Sequence, residues 1–190
     1  MKPHILLVLA SAIILCGCSQ RVKGTAGQDT NMQQRVSEQC QDSIELRKSI
    51  HLSKCYAYHL IANDSVKEGI NILNSLWKKY RIDDMIPCGI GAAYYKMEQH
   101  DSAFHWFQIA EEYIDSLIRI KPSESLLRDK LPLAYILRGK EAAKEVEKAM
   151  SEESRQQAQT FFETYPNPED FLENAVLNVF EAYKDNNYVR

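Results

Sequence analysis

Residues 91–110 have the sequence GAAYYKMEQHDSAFHWFQIA, and the spacing of small and aromatic residues in this stretch decides the fold. Apolar side chains recur at three- and four-residue steps on both sides of a polar turn, which is the periodicity of amphipathic helices. Small residues let the two helices of a hairpin approach closely, and aromatic rings fill the space next to them. The positions that carry this pattern are Gly91, Tyr94, Ala103, Phe107 and Ala110.

The same pattern occurs earlier in the chain, where residue 57 aligns with residue 91. The stretch 57–76, AYHLIANDSVKEGINILNSL, keeps the small residues Ala57 and Gly69 at the aligned positions. Larger aliphatic residues take the other three positions, Leu60, Leu73 and Leu76. This period, about 34 residues with these small and aromatic positions, resembles the tetratricopeptide repeat. The resemblance implies an all-α fold in which helical hairpins, here about residues 50–83 and 84–117, stack into a right-handed solenoid.

The chain after the second repeat departs from the repeat pattern. We predict a degenerate third unit over about residues 124–166, because Pro132 interrupts its first helix and the sequence after Gly139 is too long for one second helix. The sequence Pro-Asn-Pro at 166–168 then breaks the chain. Residues 171–183, FLENAVLNVFEAY, predict an amphipathic helix. We expect residues 168–185 to cap the open end of the stack, as solenoids require.

The resemblance also implies where a ligand would bind, since the concave groove of such a stack is lined by the first helix of each repeat. Tyrosine rings and lysine ammonium groups in this groove would suit an extended peptide. In the alternative interpretation they only cover and solubilise a helix surface. Chaperone-binding members of the family hold a carboxylate clamp at the position of Lys54, but Tyr58 replaces their asparagine, so that activity is not implied. The candidate groove residues are His51, Lys54, Tyr58, Cys88, Ala92, Tyr95 and Lys96.

The start of the chain, up to Cys18, predicts where the protein resides. An apolar run at residues 5–15 follows a basic start, and it is shorter than the roughly 20 residues that a membrane-spanning helix needs, which is typical of a cleavable signal peptide. Leu15, Cys16, Gly17 and Cys18 resemble the lipobox of bacterial lipoproteins. The resemblance implies removal of residues 1–17 and attachment of acyl chains such as palmitate to Cys18.

The residues after the lipobox refine this localisation. The lipoprotein resemblance implies the outer membrane, because Ser19 stands where aspartate would signal retention in the inner membrane. It also implies the side that faces the periplasm, because the acidic cluster of some surface lipoproteins is missing here. Residues 18–31 have too few apolar side chains to order themselves, so we predict a flexible tether that leads to one helical domain at residues 32–190.

Charge and cysteine content limit the possible functions. Loss of Lys2 with the signal leaves 22 Lys and Arg against 26 Asp and Glu, a formal charge of −4, and this excludes a basic surface for nucleic acid. Three cysteines remain besides Cys18, so at most one internal disulfide can form. Cys40 and Cys55 could form it on neighbouring helices, or could be buried thiols.

No catalytic or metal-binding motif occurs in the sequence, so we predict neither an enzyme nor a cofactor or metal site. The prediction is therefore a membrane-anchored envelope lipoprotein that binds a protein or peptide partner and acts as an adapter or assembly factor. The alternative is an inhibitor or immunity-type protein that blocks one partner protein with high affinity.

Overall fold

The computed structural model describes the backbone of residues 29–185 apart from residues 82 and 84, and the side chains from residue 42 onward within that range. The predicted signal peptide and the lipidation site Cys18 lie outside the described residues, as does the tether up to residue 28. In the described part the chain forms eight α-helices: α1 (Asp29–Ala62), α2 (Val66–Tyr80), α3 (Met85–Lys96), α4 (His100–Ile120), α5 (Glu124–Arg138), α6 (Lys140–Lys148), α7 (Glu152–Thr164) and α8 (Pro168–Phe171).

The helical chain continues beyond α8 with a different hydrogen-bond pattern. A π turn at Leu172–Val176 follows directly, and a 3₁₀ helix at Leu177–Tyr183 completes it. Residues 168–183 are called the C-terminal segment below. The predicted all-α class is confirmed.

Each helix from α2 to α6 packs against the next one in the chain, so the molecule consists of sequentially paired helices. The pairs α1–α2 and α3–α4 overlap the two predicted repeats, although α1 begins at Asp29, well before residue 50, and α4 continues to Ile120. No solenoid of repeats is established by this arrangement alone.

Both hairpins bring their helices together at small residues. A Cβ atom added to Gly69 on α2 would lie 2.6 Å from the carbonyl oxygen of Ala57 on α1. In the second hairpin, a Cβ added to Gly91 on α3 would lie 3.1 Å from the carbonyl oxygen of Ala103 on α4. These distances leave little or no room for a side chain. Because Ala57 aligns with Gly91 and Gly69 with Ala103, the helices of both hairpins approach each other closely at equivalent points.

The other repeat positions line the interior of the hairpins. The fully buried ones are Ala57, Leu73, Ala103, Phe107 and Ala110, each at most 2% exposed. The half-buried ones are Leu60, Leu76 and Tyr94. The buried positions divide between two apolar clusters, with Ala57 and Leu73 in one and Ala103, Phe107 and Ala110 in the other.

The third unit contains three helices rather than two. Helix α5 runs through Pro132 without ending, and Gly139 makes the turn to α6 with a φ of 81°, in the left-handed region that favours glycine. The stretch that is too long for one helix divides at residues 149–151 into α6 and α7. Ser151 caps α7, since its hydroxyl accepts a hydrogen bond from the backbone N–H of Ser154.

Two ion pairs join α4 to α5. Both terminal nitrogens of the Arg138 guanidinium donate hydrogen bonds to the two carboxylate oxygens of Glu111, which is buried. One turn further along α4, Asp115 accepts a hydrogen bond of 2.5 Å from the ammonium group of Lys130. These pairs position the third unit against the second repeat.

Candidate peptide-binding surface

Four of the predicted groove residues lie together on one surface, which we call the α1/α3 face: Tyr58 from α1, and Cys88, Ala92 and Tyr95 from α3. The C-terminal segment packs against this face. Phe180 belongs to the same apolar cluster as Tyr58 and Ala92, and only 1% of it is exposed. Leu172 and Val176 share a second cluster with Cys88 and Tyr95. The segment therefore covers part of the predicted groove instead of only closing the end of the stack.

Tyr58 is the centre of this contact. Its ring meets Phe180 and Tyr183 edge to face, with centroid distances of 5.4 Å and 5.1 Å. Its hydroxyl donates a hydrogen bond of 3.0 Å to the carbonyl oxygen of Met85 at the start of α3. Only 3% of Tyr58 is exposed. This differs from the open groove expected from the sequence, because aromatic side chains of the C-terminal segment replace water around the ring.

Close approach of α3 makes room for the Tyr58 ring. A Cβ atom on Gly89 would overlap the Tyr58 hydroxyl oxygen, so a larger residue at this position would displace the ring. Gly89 therefore contributes to the site by its lack of a side chain, a role that the sequence analysis did not assign to it.

Burial raises the pKa of Tyr58 well above its ordinary value near 10, and the negative charge of Asp83 adds to this effect. The folded protein thus keeps this phenol neutral at pH values where the unfolded chain would ionise it. The contribution of Tyr58 to the stability of the fold is therefore complete below pH 10 and is lost as the pH rises further. We expect the free energy of unfolding to fall above pH 10 by about 1.4 kcal/mol per pH unit from this group. Urea unfolding between pH 8 and pH 11 measures this slope.

Tyr58→Phe is the control for the alkaline effect, because phenylalanine keeps the ring and removes the ionisable hydroxyl. The variant should lose stability at pH 8 through the missing hydrogen bond to Met85, but its stability should decline less between pH 10 and pH 11. An identical decline in both proteins would contradict the assignment to Tyr58.

The two predicted groove lysines stabilise the helix arrangement. The ammonium group of Lys54 lies 2.5 Å from a carboxylate oxygen of Asp83, whose other oxygen accepts a hydrogen bond from the backbone N–H of Met85. Lys96 donates a hydrogen bond of 3.1 Å to the carbonyl oxygen of Ile61 and lies 3.3 Å from a carboxylate oxygen of Asp64. Lys54 thus joins α1 to the loop before α3, and Lys96 joins α3 to the end of α1.

His51 and Tyr95 are less buried than Tyr58. His51 is exposed, and its Nε2 atom lies 3.5 Å from the buried thiol of Cys55. Burial raises the pKa of the Cys55 thiol. Tyr95 is half-buried, with its ring 4.9 Å from His100 between centroids. Its pKa is raised by burial and by the nearby negative charges of Glu173 and Glu169 in the C-terminal segment.

Among the described side chains, Cys55 is a free and buried thiol, and Cys88 is half-buried. Cys40 and Cys55 belong to the same helix, α1. The sequence predicted that they lie on neighbouring helices, where a disulfide between them could form. The side chain of Cys40 lies outside the described residues.

Two polar contacts near the end of the C-terminal segment were not predicted from the sequence. The ring of His59 donates a hydrogen bond of 2.9 Å from Nδ1 to the carbonyl oxygen of Tyr183. The amide of Asn63 donates to the carbonyl oxygen of Lys184 at 3.4 Å. Both satisfy carbonyl groups at the end of the C-terminal segment, which lack partners within a helix. The donors lie more than 120 positions before their acceptors, so no local pattern could have identified them.

The described residues define the general class of this chain, an all-helical protein of paired helices whose α1/α3 face holds a further helical segment. Among the described side chains no group of three His, Cys, Asp or Glu residues is placed to hold a metal ion. No described helix is both long enough and apolar enough to cross a membrane. Comparisons with protein-family models, curated proteins and solved structures found no match to this chain, so no family is identified.

Proposed function

We propose that this protein is a tetratricopeptide-like lipoprotein, anchored through Cys18 to the outer membrane and facing the periplasm. In this proposal it has no enzymatic activity. It binds a protein or peptide partner through the α1/α3 face and acts as an adapter or assembly factor in the envelope.

One observation carries the proposal. The α1/α3 face holds a helical segment by burying its apolar and aromatic side chains, above all Phe180 against Tyr58. Laying the apolar side of a helix into an apolar groove is a general mode of peptide recognition. A face that already accommodates one helix has the width and the chemistry to accommodate another.

The equivalent close contacts of the two hairpins support the tetratricopeptide-like assignment. The pairs Ala57–Gly69 and Gly91–Ala103 stand one repeat apart, and in each pair a glycine approaches the backbone carbonyl of an alanine on the other helix. Helix α4 is the main departure, since it extends to Ile120 and thus beyond the usual end of a second helix. Helix α4 also carries Glu111 and Asp115, whose carboxylates pair with Arg138 and Lys130 of α5.

Crosslinking of the native lipoprotein in membranes, followed by mass spectrometry, tests the proposal. Tyr95→Ala alters the accessible part of the α1/α3 face, because Tyr95 is only half-buried. Tyr80→Ala is the matched control, since this half-buried tyrosine lies on α2, outside the α1/α3 face, with the ammonium group of Lys79 over its ring. We expect partners of the wild-type protein to be retained by Tyr80→Ala and lost from Tyr95→Ala.

Equal recovery of every partner from both variants would contradict binding at this face. Folding of both proteins is checked by circular dichroism, so that a loss of partners reports on the surface and not on unfolding.

A further inference from the structure

We infer that the C-terminal segment is an internal ligand of the α1/α3 face, and that it competes with an amphipathic helix of the partner protein. The inference rests on the proposed function and specifies its ligand. The partner helix should present apolar or aromatic side chains at positions i, i+4, i+8 and i+11. This is the spacing of the segment's own contact residues, Leu172, Val176, Phe180 and Tyr183.

The course of the segment is the first argument. Its beginning, α8, contacts α5, and its 3₁₀ helix contacts α3. Its last residues reach α1, where Tyr183 meets the Tyr58 ring. The segment thus lies across the first helix of each of the three units, on the surface where the repeat resemblance places a ligand.

The chemistry of the contact is the second argument. Side chains on the face side of the segment are buried or half-buried, whereas Glu173, Asn174, Asn178 and Glu181 are exposed. His59 and Asn63 donate to backbone carbonyl oxygens at its end. Every helix offers such carbonyl groups at its C-terminus, so these two contacts require no particular sequence. A foreign amphipathic helix can therefore make the same apolar contacts and accept the same hydrogen bonds.

The backbone of the segment is the third argument. Its 3₁₀ helix is 7 residues long, whereas runs beyond about 3–4 residues are uncommon because their hydrogen bonds have poorer geometry. Packing against the α1/α3 face must supply the stability that these bonds lack. Residues 165–167, which include Pro166, lie between α7 and the segment, so release of the segment does not require α7 to unwind.

A peptide of residues 168–185, labelled with fluorescein, is the probe for an accessible face. Its binding to the full mature protein is measured by fluorescence anisotropy. Phe180→Ala in the protein weakens the internal ligand, and Glu181→Ala is the matched control because Glu181 is the exposed neighbour. Since apparent affinity scales with the fraction of molecules whose face is open, we expect the peptide to bind Phe180→Ala at least tenfold more tightly than wild type or Glu181→Ala. A peptide that itself carries Phe180→Ala should bind at least tenfold more weakly.

Equal affinity for wild type and Phe180→Ala, or no binding to a folded Phe180→Ala protein, would overturn the inference. Hydrogen exchange of the wild-type protein gives a second measurement that does not depend on the folding of any variant. Amides of residues 172–183 should exchange at least tenfold faster than those of α3, and equal protection would also overturn the inference. Neither assay uses an envelope partner. The two hypotheses can therefore fail separately. If crosslinked partners depend on Tyr95 but the peptide does not bind as expected, the proposed function stands and the internal-ligand inference is wrong.

Discussion

Arg138→Ala is expected to lower the free energy of unfolding by about 3–5 kcal/mol, because it leaves a buried carboxylate without its partner. The side chain of Glu111 is only 7% exposed, and the Arg138 guanidinium donates to both of its oxygens. The substitution removes both hydrogen bonds and keeps the charge inside the protein. Urea unfolding at neutral pH, followed by circular dichroism, measures the loss.

Glu111→Gln, which changes the other partner of the ion pair, is the control, because the two partners differ in burial. The side chain of Arg138 is 51% exposed, so water can solvate it when Glu111→Gln removes the opposing charge. We expect Glu111→Gln to cost less than Arg138→Ala by about 2 kcal/mol. The double variant should be more stable than Arg138→Ala alone. Equal losses in the two single variants would show that burial of Glu111 is not the cause.

Tyr135→Ala has a comparable expected effect, also about 3–5 kcal/mol. The side chain is completely buried in α5, with its ring 5.3 Å from that of Phe161 and 5.7 Å from that of Phe162. Its hydroxyl donates a hydrogen bond of 2.7 Å to the carbonyl oxygen of Tyr165, just before the C-terminal segment. Truncation leaves a cavity in the third unit and frees the end of α7. Thermal unfolding in the same buffer as the wild type measures the change.

Tyr135→Phe separates the ring from the hydroxyl, because it removes only the hydrogen bond. We expect a loss of about 1 kcal/mol for this variant. If Tyr135→Phe were as unstable as Tyr135→Ala, the hydrogen bond and not the aromatic packing would hold the third unit together.

Local periodicity predicted the helices well because it depends on short separations in the chain. The alternation around Gly91 and Phe107 predicted the hairpin α3–α4, and alignment of the chain with itself, one repeat apart, predicted the earlier hairpin. Small residues at 69 and 91 indicated where helices come close, since a glycine inside a helix is costly without a packing reason. The division of the third unit at residues 149–151 was only partly predictable, as excess length shows that a helix must break but not where.

The candidate site was less predictable. The repeat resemblance predicted that Tyr58 and Tyr95 lie on one face, and it also predicted that Lys54 and Lys96 bind the ligand. The structure places these lysines next to acidic groups of neighbouring loops, Asp83 and Asp64. Long charged side chains can reach several partners, and a repeat pattern carries no information about which partner is close.

The sequence by itself determined the all-helical class and the small residues at which the helices of the two hairpins meet. These features follow from side-chain size and spacing within a single repeat length. Only the tertiary structure decided that the C-terminal segment lies on the α1/α3 face and that Glu111 is buried beneath Arg138. An amphipathic helix requires an apolar surface to cover, but its pattern does not specify which one. That choice depends on contacts between residues far apart in the chain, such as Tyr58 and Phe180, which form only when the helices are assembled.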